Sequence, residues 1–228
     1  MKAQIVAVIL ALGGVAPAAQ PNGAFSRRLR NDFPPGKLIA DGSAQKQVYA
    51  VAGNANLVLR VLRPQVNSRV PSARGKGQGA WQRKWILQQE HDDLANLRRN
   101  GFPVPDVVAK GYMFGRPADV MERFPLASKD TLAAGTGVRL PAGATGQAPL
   151  WKQRPDVLNL RSRPDLLSIR RAIENGVAVH DLQLLLKPGR VVVFDPAGLV
   201  TRTREPARYQ RVAAQNLRLI DEMLQYAQ

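Results

Sequence analysis

Short apolar runs broken by turn residues open the patterned part of the chain. Lys37-Leu38-Ile39-Ala40 stops at Asp41-Gly42-Ser43, and Val48-Tyr49-Ala50-Val51 stops at Gly53-Asn54. Leu57-Val58-Leu59-Arg60-Val61-Leu62 stops before Pro64. Runs this short, rich in β-branched residues and separated by turn chemistry, predict an antiparallel three-strand meander. Residues 65–79 are basic, polar and glycine-containing, and read as a loop. A helix is predicted from about Trp81 to Asn100, with Trp85, Gln89, Leu94 and Leu97 near one face and Gly101 as its stop. Pro103-Val104-Pro105 forces an extended chain. Val107-Val108-Ala109 and Val120-Met121-Glu122 then predict two more strands around the Gly115-Arg116-Pro117 turn.

From Leu126 to Arg163 the pattern dissolves into Gly, Ala, Thr and Pro, and no element is assigned. Order returns with a helix opening at Pro164-Asp165 and ending at Asn175-Gly176. Leu182 to Leu186 and Val191 to Phe194, joined by Lys187-Pro188-Gly189-Arg190, predict a hairpin. An amphipathic helix from about Pro206 to Tyr226 closes the chain, and no internal repeat is visible.

Composition narrows the chemistry. The 228 residues suffice for one ordinary domain or two small lobes around a cleft, and 45% hydrophobic residues can form a core. A balance of 33 Lys+Arg against 17 Asp+Glu gives +16, which favours nucleotide phosphates, nucleic acid, anionic membrane or an acidic protein without selecting among them. Few aromatics lie among the charges, which argues against a stacking platform for single strands. The absence of cysteine excludes disulfides, thiolate catalysis and cysteine-ligated zinc. His91 and His180 are the only histidines, so a His-rich metal site is excluded too. Chemistry here must run on carboxylates, amides and basic side chains.

Lys2, the apolar run Ile5 to Leu12, Gly13-Gly14 and Ala16-Pro17-Ala18 together resemble a secretory signal peptide. The run is too short to span a bilayer comfortably, and the alternatives to a signal peptide for residues 1–20 are a delivery leader, a frayed N-terminus or a first core helix. No stable membrane insertion is expected once a leader is removed. Residues 21–36, carrying Arg27, Arg28 and Arg30, read as a linker.

The order of elements resembles the protein kinases, and particular residues carry that resemblance. Asp41-Gly42-Ser43-Ala44-Gln45-Lys46-Gln47-Val48 resembles a degenerate phosphate-covering loop, and Leu57-Val58-Leu59-Arg60 stands where the family has its third-strand lysine. Glu90 falls mid-helix, where kinases place the carboxylate paired with that lysine. Val120-Met121-Glu122 resembles the strand entering the hinge that contacts adenine. Val177-Ala178-Val179-His180-Asp181-Leu182-Gln183, followed by Val191-Val192-Val193-Phe194-Asp195-Pro196, resembles the catalytic-loop aspartate and the metal-binding aspartate on either side of a hairpin. Taken singly, Asp181 also reads as a turn cap, Asp195 as a strand end and Arg60 as a solvent-facing strand residue.

The resemblance implies an α+β, two-lobed fold: a five-stranded antiparallel N-lobe with one helix over 37–122, and a reduced, mostly helical C-lobe over 123–228. It implies Asp181, Arg60 and Glu90 as catalytic residues. Gly42, Ser43, Val48, Arg60, Met121 and Glu122 would bind ATP, while Asp195 and Gln183 would hold Mg2+. Several departures stand out. Only Gly42 of the glycine loop is kept, Arg60 replaces lysine, and Leu186 stands at the offset of the usual asparagine, leaving Gln183 as the nearest amide. His180 stands where many kinases have arginine, which implies constitutive activity. It is expected to be a buried, hydrogen-bonded residue rather than a catalytic one.

The short C-lobe is similar to the minimal kinases among bacterial effectors and toxins, such as the HopBF-type effectors. That resemblance implies secretion, delivery into a host cell, and serine/threonine-type transfer of the ATP γ-phosphate to a host protein, in that family a heat-shock chaperone. No specific nucleic acid is expected. Rival readings are a pseudokinase scaffold, adenylate transfer on the same fold, and a basic nucleic-acid-binding protein suggested by the net charge and the arginines near Arg27 and Arg202.

Overall fold

A computed structural model of the chain describes residues 27–40, 46–63, 80–132, 139–140, 148–194 and 198–228. The elements are β1 (Arg27–Arg28), β2 (Pro35–Ala40), β3 (Lys46–Val51), β4 (Asn54–Leu62), α1 (Ala80–Arg99), β5 (Val107–Met113), β6 (Arg116–Glu122) and β7 (Leu126–Ala127). There follow β8 (Thr131–Leu132), β9 (Arg139–Leu140), α2 (Arg163–Glu174), β10 (Val177–Val179), β11 (Gln183–Lys187), β12 (Arg190–Phe194), β13 (Leu199–Thr201) and α3 (Pro206–Tyr226).

Strands β2 to β6 pair antiparallel in the order β5-β6-β4-β3-β2, the five-stranded sheet expected of the N-lobe. Alternation sends Leu59 and Val61 to one face with their partners Val120 and Ala118, all four buried. Arg60 and its partner Asp119 emerge on the other face. Both faces must therefore be covered.

The outer face is covered by a stretch expected to be linker. Arg27–Arg28 adds a sixth strand, parallel to β5, and fully buried Leu29 packs with Phe33 over Leu59, Val61 and Val120. Leu29 N donates to Tyr112 O at 3.1 Å and Ala52 N to Pro34 O at 2.8 Å. From residue 27 onward the supposed linker is thus part of the lobe. The arginine cluster hid an apolar pair whose burial the sheet requires.

Helix α1 covers the inner face with Leu87, Glu90, His91, Leu94 and Leu97, a row at i, i+3, i+4, i+7 spacing. Gln89, expected on this face, is exposed because it lies off that row. The side chain of Trp85 lies outside the described residues. Two of the five inward positions are ionisable, so apolar periodicity alone under-reads the face. The helix stops at Gly101 (φ 83°), where Gly101 N donates to Arg98 O and Phe102 N to Leu97 O. That is the paired-bond cap a left-handed residue makes.

Leu94, Leu97, Phe102 and Val104 belong to the core of the lower lobe, where they meet Leu166 and Ile169 of α2. The lower lobe holds the three-stranded sheet β12-β11-β7, the pair β10-β13, and helices α2 and α3 packed on each other and on β10. The region left unassigned from 126 to 163 supplies β7, β8, β9 and two 3-10 turns, Leu150–Gln153 and Leu160–Ser162. Those pieces are too short to leave a period. The fold is α+β, as the sequence predicts. Among the described residues no helix is long and apolar enough to cross a membrane.

Candidate active site

A cleft of about 470 Å3 separates the sheet from the lower hairpin, within the range of about 300–1,000 Å3 usual for small-molecule sites. Its upper wall is Ile39, Val48, Val58 and Arg60, and its back is the segment from Met121 to Pro125. Leu126, Leu185 and Phe194 form the floor. The lining is mostly apolar, and its charged residues are Arg60, Glu122 and Arg123.

Strand register explains why Arg60 is there. Val48 pairs with Arg60 and Arg60 with Asp119, so three neighbouring strands set these residues side by side on the inner face. Arg60 Nε donates to Asp119 Oδ1 at 2.8 Å, Nη2 to Oδ2 at 2.5 Å, and Nη1 to Glu90 Oε1 at 2.5 Å. Lys46 Nζ donates to the other oxygen, Glu90 Oε2. His91 Nε2 lies 2.7 Å from Asp119 Oδ2, and since an ionised carboxylate only accepts, this contact requires the proton on Nε2. The guanidinium also sits 5.3 Å from the centre of the Phe194 ring, joining the wall to the floor.

Lys46, Arg60, Glu90, His91 and Asp119 are all buried, with Asp119 wholly excluded from solvent. Burial by itself pushes the Asp119 and Glu90 carboxyls up. Arg60 and His91 together outweigh it at Asp119, and Arg60 and Lys46 together at Glu90, so each is held below the ordinary carboxylate range. Burial likewise pulls Arg60 down, and Asp119 and Glu90 overcome it. The basic side chains of Lys46 and Arg60 balance the two carboxylates, which is the condition for burying such groups at all.

The second group of polar residues lies at the mouth of the hairpin. Asn216 on α3 accepts the Val179 N–H at 2.9 Å, and His180 N donates to Gly198 O at 2.9 Å, fixing the chain just before Asp181. Asp181 has φ 55°, a left-handed conformation rare outside glycine and tolerated best by Asp and Asn. Lys129 Nζ donates to Asp181 Oδ1 at 2.7 Å and Gln183 Nε2 to Oδ2 at 3.3 Å. The Lys129 hydrogen bond is the main reason that the Asp181 carboxyl is held below its ordinary value, against a smaller opposing effect of burial. His180 is exposed, contrary to the expectation of a buried residue. The turn begins at His180, so its side chain leaves the core that Ala178 and Val179 enter.

The expected residues are thus gathered unevenly. Val48, Arg60, Met121 and Glu122 line the cleft, and Glu90 is bound to Arg60. The Glu122 carboxylate is ion-paired with Lys187. Gln183 touches Asp181 and pairs across the hairpin with Phe194, the residue before Asp195. Gly42, Ser43 and Asp195 lie outside the described residues. Leu186 is fully buried in the core and has no oxygen to offer, which leaves the amide to Gln183. Asp181 and Gln183 present oxygen donors, the type a hard divalent ion takes together with phosphate oxygens and water.

Sequence reasoning did not assign Asp119, His91 or Lys129. Asp119 left one signal, a carboxylate between the apolar residues Ala118 and Val120 in a strand, where Asp is depleted. Lys129 left none, because its partner is 52 residues away.

Residues 29–228 match a family model described as the type III secretion system effector HopBF1 kinase domain. No curated protein matches the chain.

Proposed function

Because this chain belongs to the HopBF1 kinase-domain family of type III secretion system effectors, we propose that it transfers the γ-phosphate of ATP to a serine or threonine hydroxyl of a host protein. The observation that carries this reading is the buried Arg60–Glu90 pair, which couples α1 to the wall of the cleft whose floor is the hairpin following Asp181.

In this reading Val48, Met121 and the backbone around Glu122 receive the adenine, and the segment carrying Gly42 and Ser43 covers the phosphates. Asp181, kept ionised by Lys129, accepts the proton of the substrate hydroxyl. The hydroxyl oxygen bonds to the γ-phosphorus as the bond to the β–γ bridging oxygen breaks, and ADP leaves. Asp195 and the Gln183 carbonyl would hold Mg2+, which when bound offsets the charge on the phosphate oxygens. The host substrate we propose is a heat-shock chaperone, and the hydrophobic leader of residues 1–20 serves delivery. The net charge of +16 favours an acidic face on that substrate.

A second reading, a pseudokinase, is supported by Leu186, which is locked in the core where an amide would help hold metal. One experiment separates the two. The chain without residues 1–20 is incubated with γ-labelled ATP, magnesium and a eukaryotic lysate, with Asp195→Ala as control. Label on a lysate protein or on the chain, absent in the control, is the expected result. Magnesium-dependent ATP binding without label would favour the pseudokinase, and label from α-labelled ATP would favour adenylate transfer. No ATP binding would end the cleft assignment.

A further inference from the structure

We infer that Lys46, not Arg60, is the cation that contacts the ATP phosphates, a role moved one strand along the sheet; this rests on the kinase reading above. Glu90 carries two basic partners, one on each oxygen, and they are not equivalent. Arg60 spends Nε and Nη2 on Asp119 and Nη1 on Glu90. Its planar fork is rigid, so turning it toward a phosphate breaks the paired bonds and strands a wholly buried carboxylate. A lysine ammonium is a compact charge with three rotatable donors, and it can keep Glu90 while turning another donor to a phosphate oxygen.

Placement agrees. Lys46 is the first residue of β3, directly after residues 41–45, the stretch that resembles the phosphate-covering loop. Lys46 and Val48 share a strand face by alternation, and Val48 lines the cleft opposite its partner Arg60. Lys46 therefore stands one step beyond the Val48–Arg60 pair, toward the loop. Arg60 becomes a positioning residue: held by Asp119, it holds one oxygen of Glu90 and so presents the other to Lys46.

The test uses the wild-type chain and an ATP analogue bearing a reactive acyl group on its γ-phosphate. A lysine amine near the phosphates attacks the acyl carbon, forms an amide, loses a proton to solvent and releases ATP. Peptide mass spectrometry reads which lysine is modified, and magnesium-ATP binding is followed on the same sample by thermal shift. Acylation of Lys46, reduced about tenfold or more by excess ATP, is expected. ATP-protected acylation of Lys37, Lys84 or Lys129 with Lys46 untouched overturns the inference while leaving the kinase reading intact, whereas a chain that binds no ATP overturns both. A second arm compares Lys46→Met with Lys46→Arg. Glu90 keeps Arg60 in each, but Lys46→Met removes one cation from the buried network, so its urea midpoint is expected to fall while that of Lys46→Arg stays closer to wild type, and kinetics are read where each chain is folded. kcat/KM for ATP is expected to fall about a hundredfold for Met and to recover in part for Arg. Unchanged kcat/KM in a folded Lys46→Met chain would overturn the inference.

Discussion

Arg60 and Asp119 stand directly opposite one another on adjacent strands, joined by two parallel hydrogen bonds of 2.8 and 2.5 Å. They are 59 residues apart in the chain and both are buried. The geometry is that of a planar fork on a carboxylate, which an ammonium cannot reproduce. Arginine at this position is thus half of a matched pair, and its partner is in place only because β4 and β6 are neighbours.

Removing half of that pair is expected to be costly. Asp119→Asn keeps the shape but leaves Arg60 with one buried counter-charge fewer, and a loss of about 3–5 kcal/mol is expected in urea unfolding. The apolar double replacement, Arg60→Met with Asp119→Leu, is expected to unfold at a higher urea concentration than Asp119→Asn alone, since it removes both charges. A single variant within about 1 kcal/mol of wild type would show that the pair is not isolated from solvent.

The same network sets an acid limit. Asp119 and Glu90 have folded-state values below their ordinary ones, so their contribution is complete above the unfolded values of about 4. It is lost as pH falls from there toward the depressed folded values. The urea midpoint of the wild-type chain is expected to drop progressively below about pH 4, and that of Asp119→Asn to drop less over the same interval. Parallel curves would contradict the assignment.

Lys129 offers a kinetic test of Asp181. Lys129→Ala removes the main cause of the depressed carboxyl, so Asp181 rises toward the ordinary range. The acid limb of kcat/KM is expected to move to higher pH with little change in fold stability, because the ion pair is half exposed. Raised salt is expected to move the wild-type limb the same way by screening. A limb that stays in place in the variant would remove Asp181 as the titrating base.

Asn216 is a structural counterpart to that test. Its side chain is buried and accepts the Val179 N–H two residues before Asp181. Asn216→Leu leaves that amide unsatisfied, at an expected cost of about 1–3 kcal/mol. Hydrogen exchange at the Val179 amide is expected to quicken relative to Ala172 in the same core; equal protection would rule the contact out.

Much of this molecule is legible locally. The short apolar run Leu57–Leu62, the hairpin joined through Lys187-Pro188-Gly189-Arg190, and the long amphipathic helix from Pro206 to Tyr226 are written in neighbouring residues, because strands, turns and helices answer to short-range sterics. The order of those elements also suffices to identify Asp181, Glu90 and Arg60 as residues worth examining. Pairing is another matter. That Asp119 clamps Arg60, that His91 rather than Gln89 turns inward, that Lys129 reaches Asp181, and that Leu29 roofs Leu59 all depend on contacts across 28 or more residues. Such contacts follow from which strands become neighbours and in what register, and a one-residue slip would send every side chain to the opposite face. Composition and periodicity determined the elements and the kinds of chemistry available; only the packed sheet decided which charges meet, because a buried ion pair exists where desolvation leaves each group no other partner.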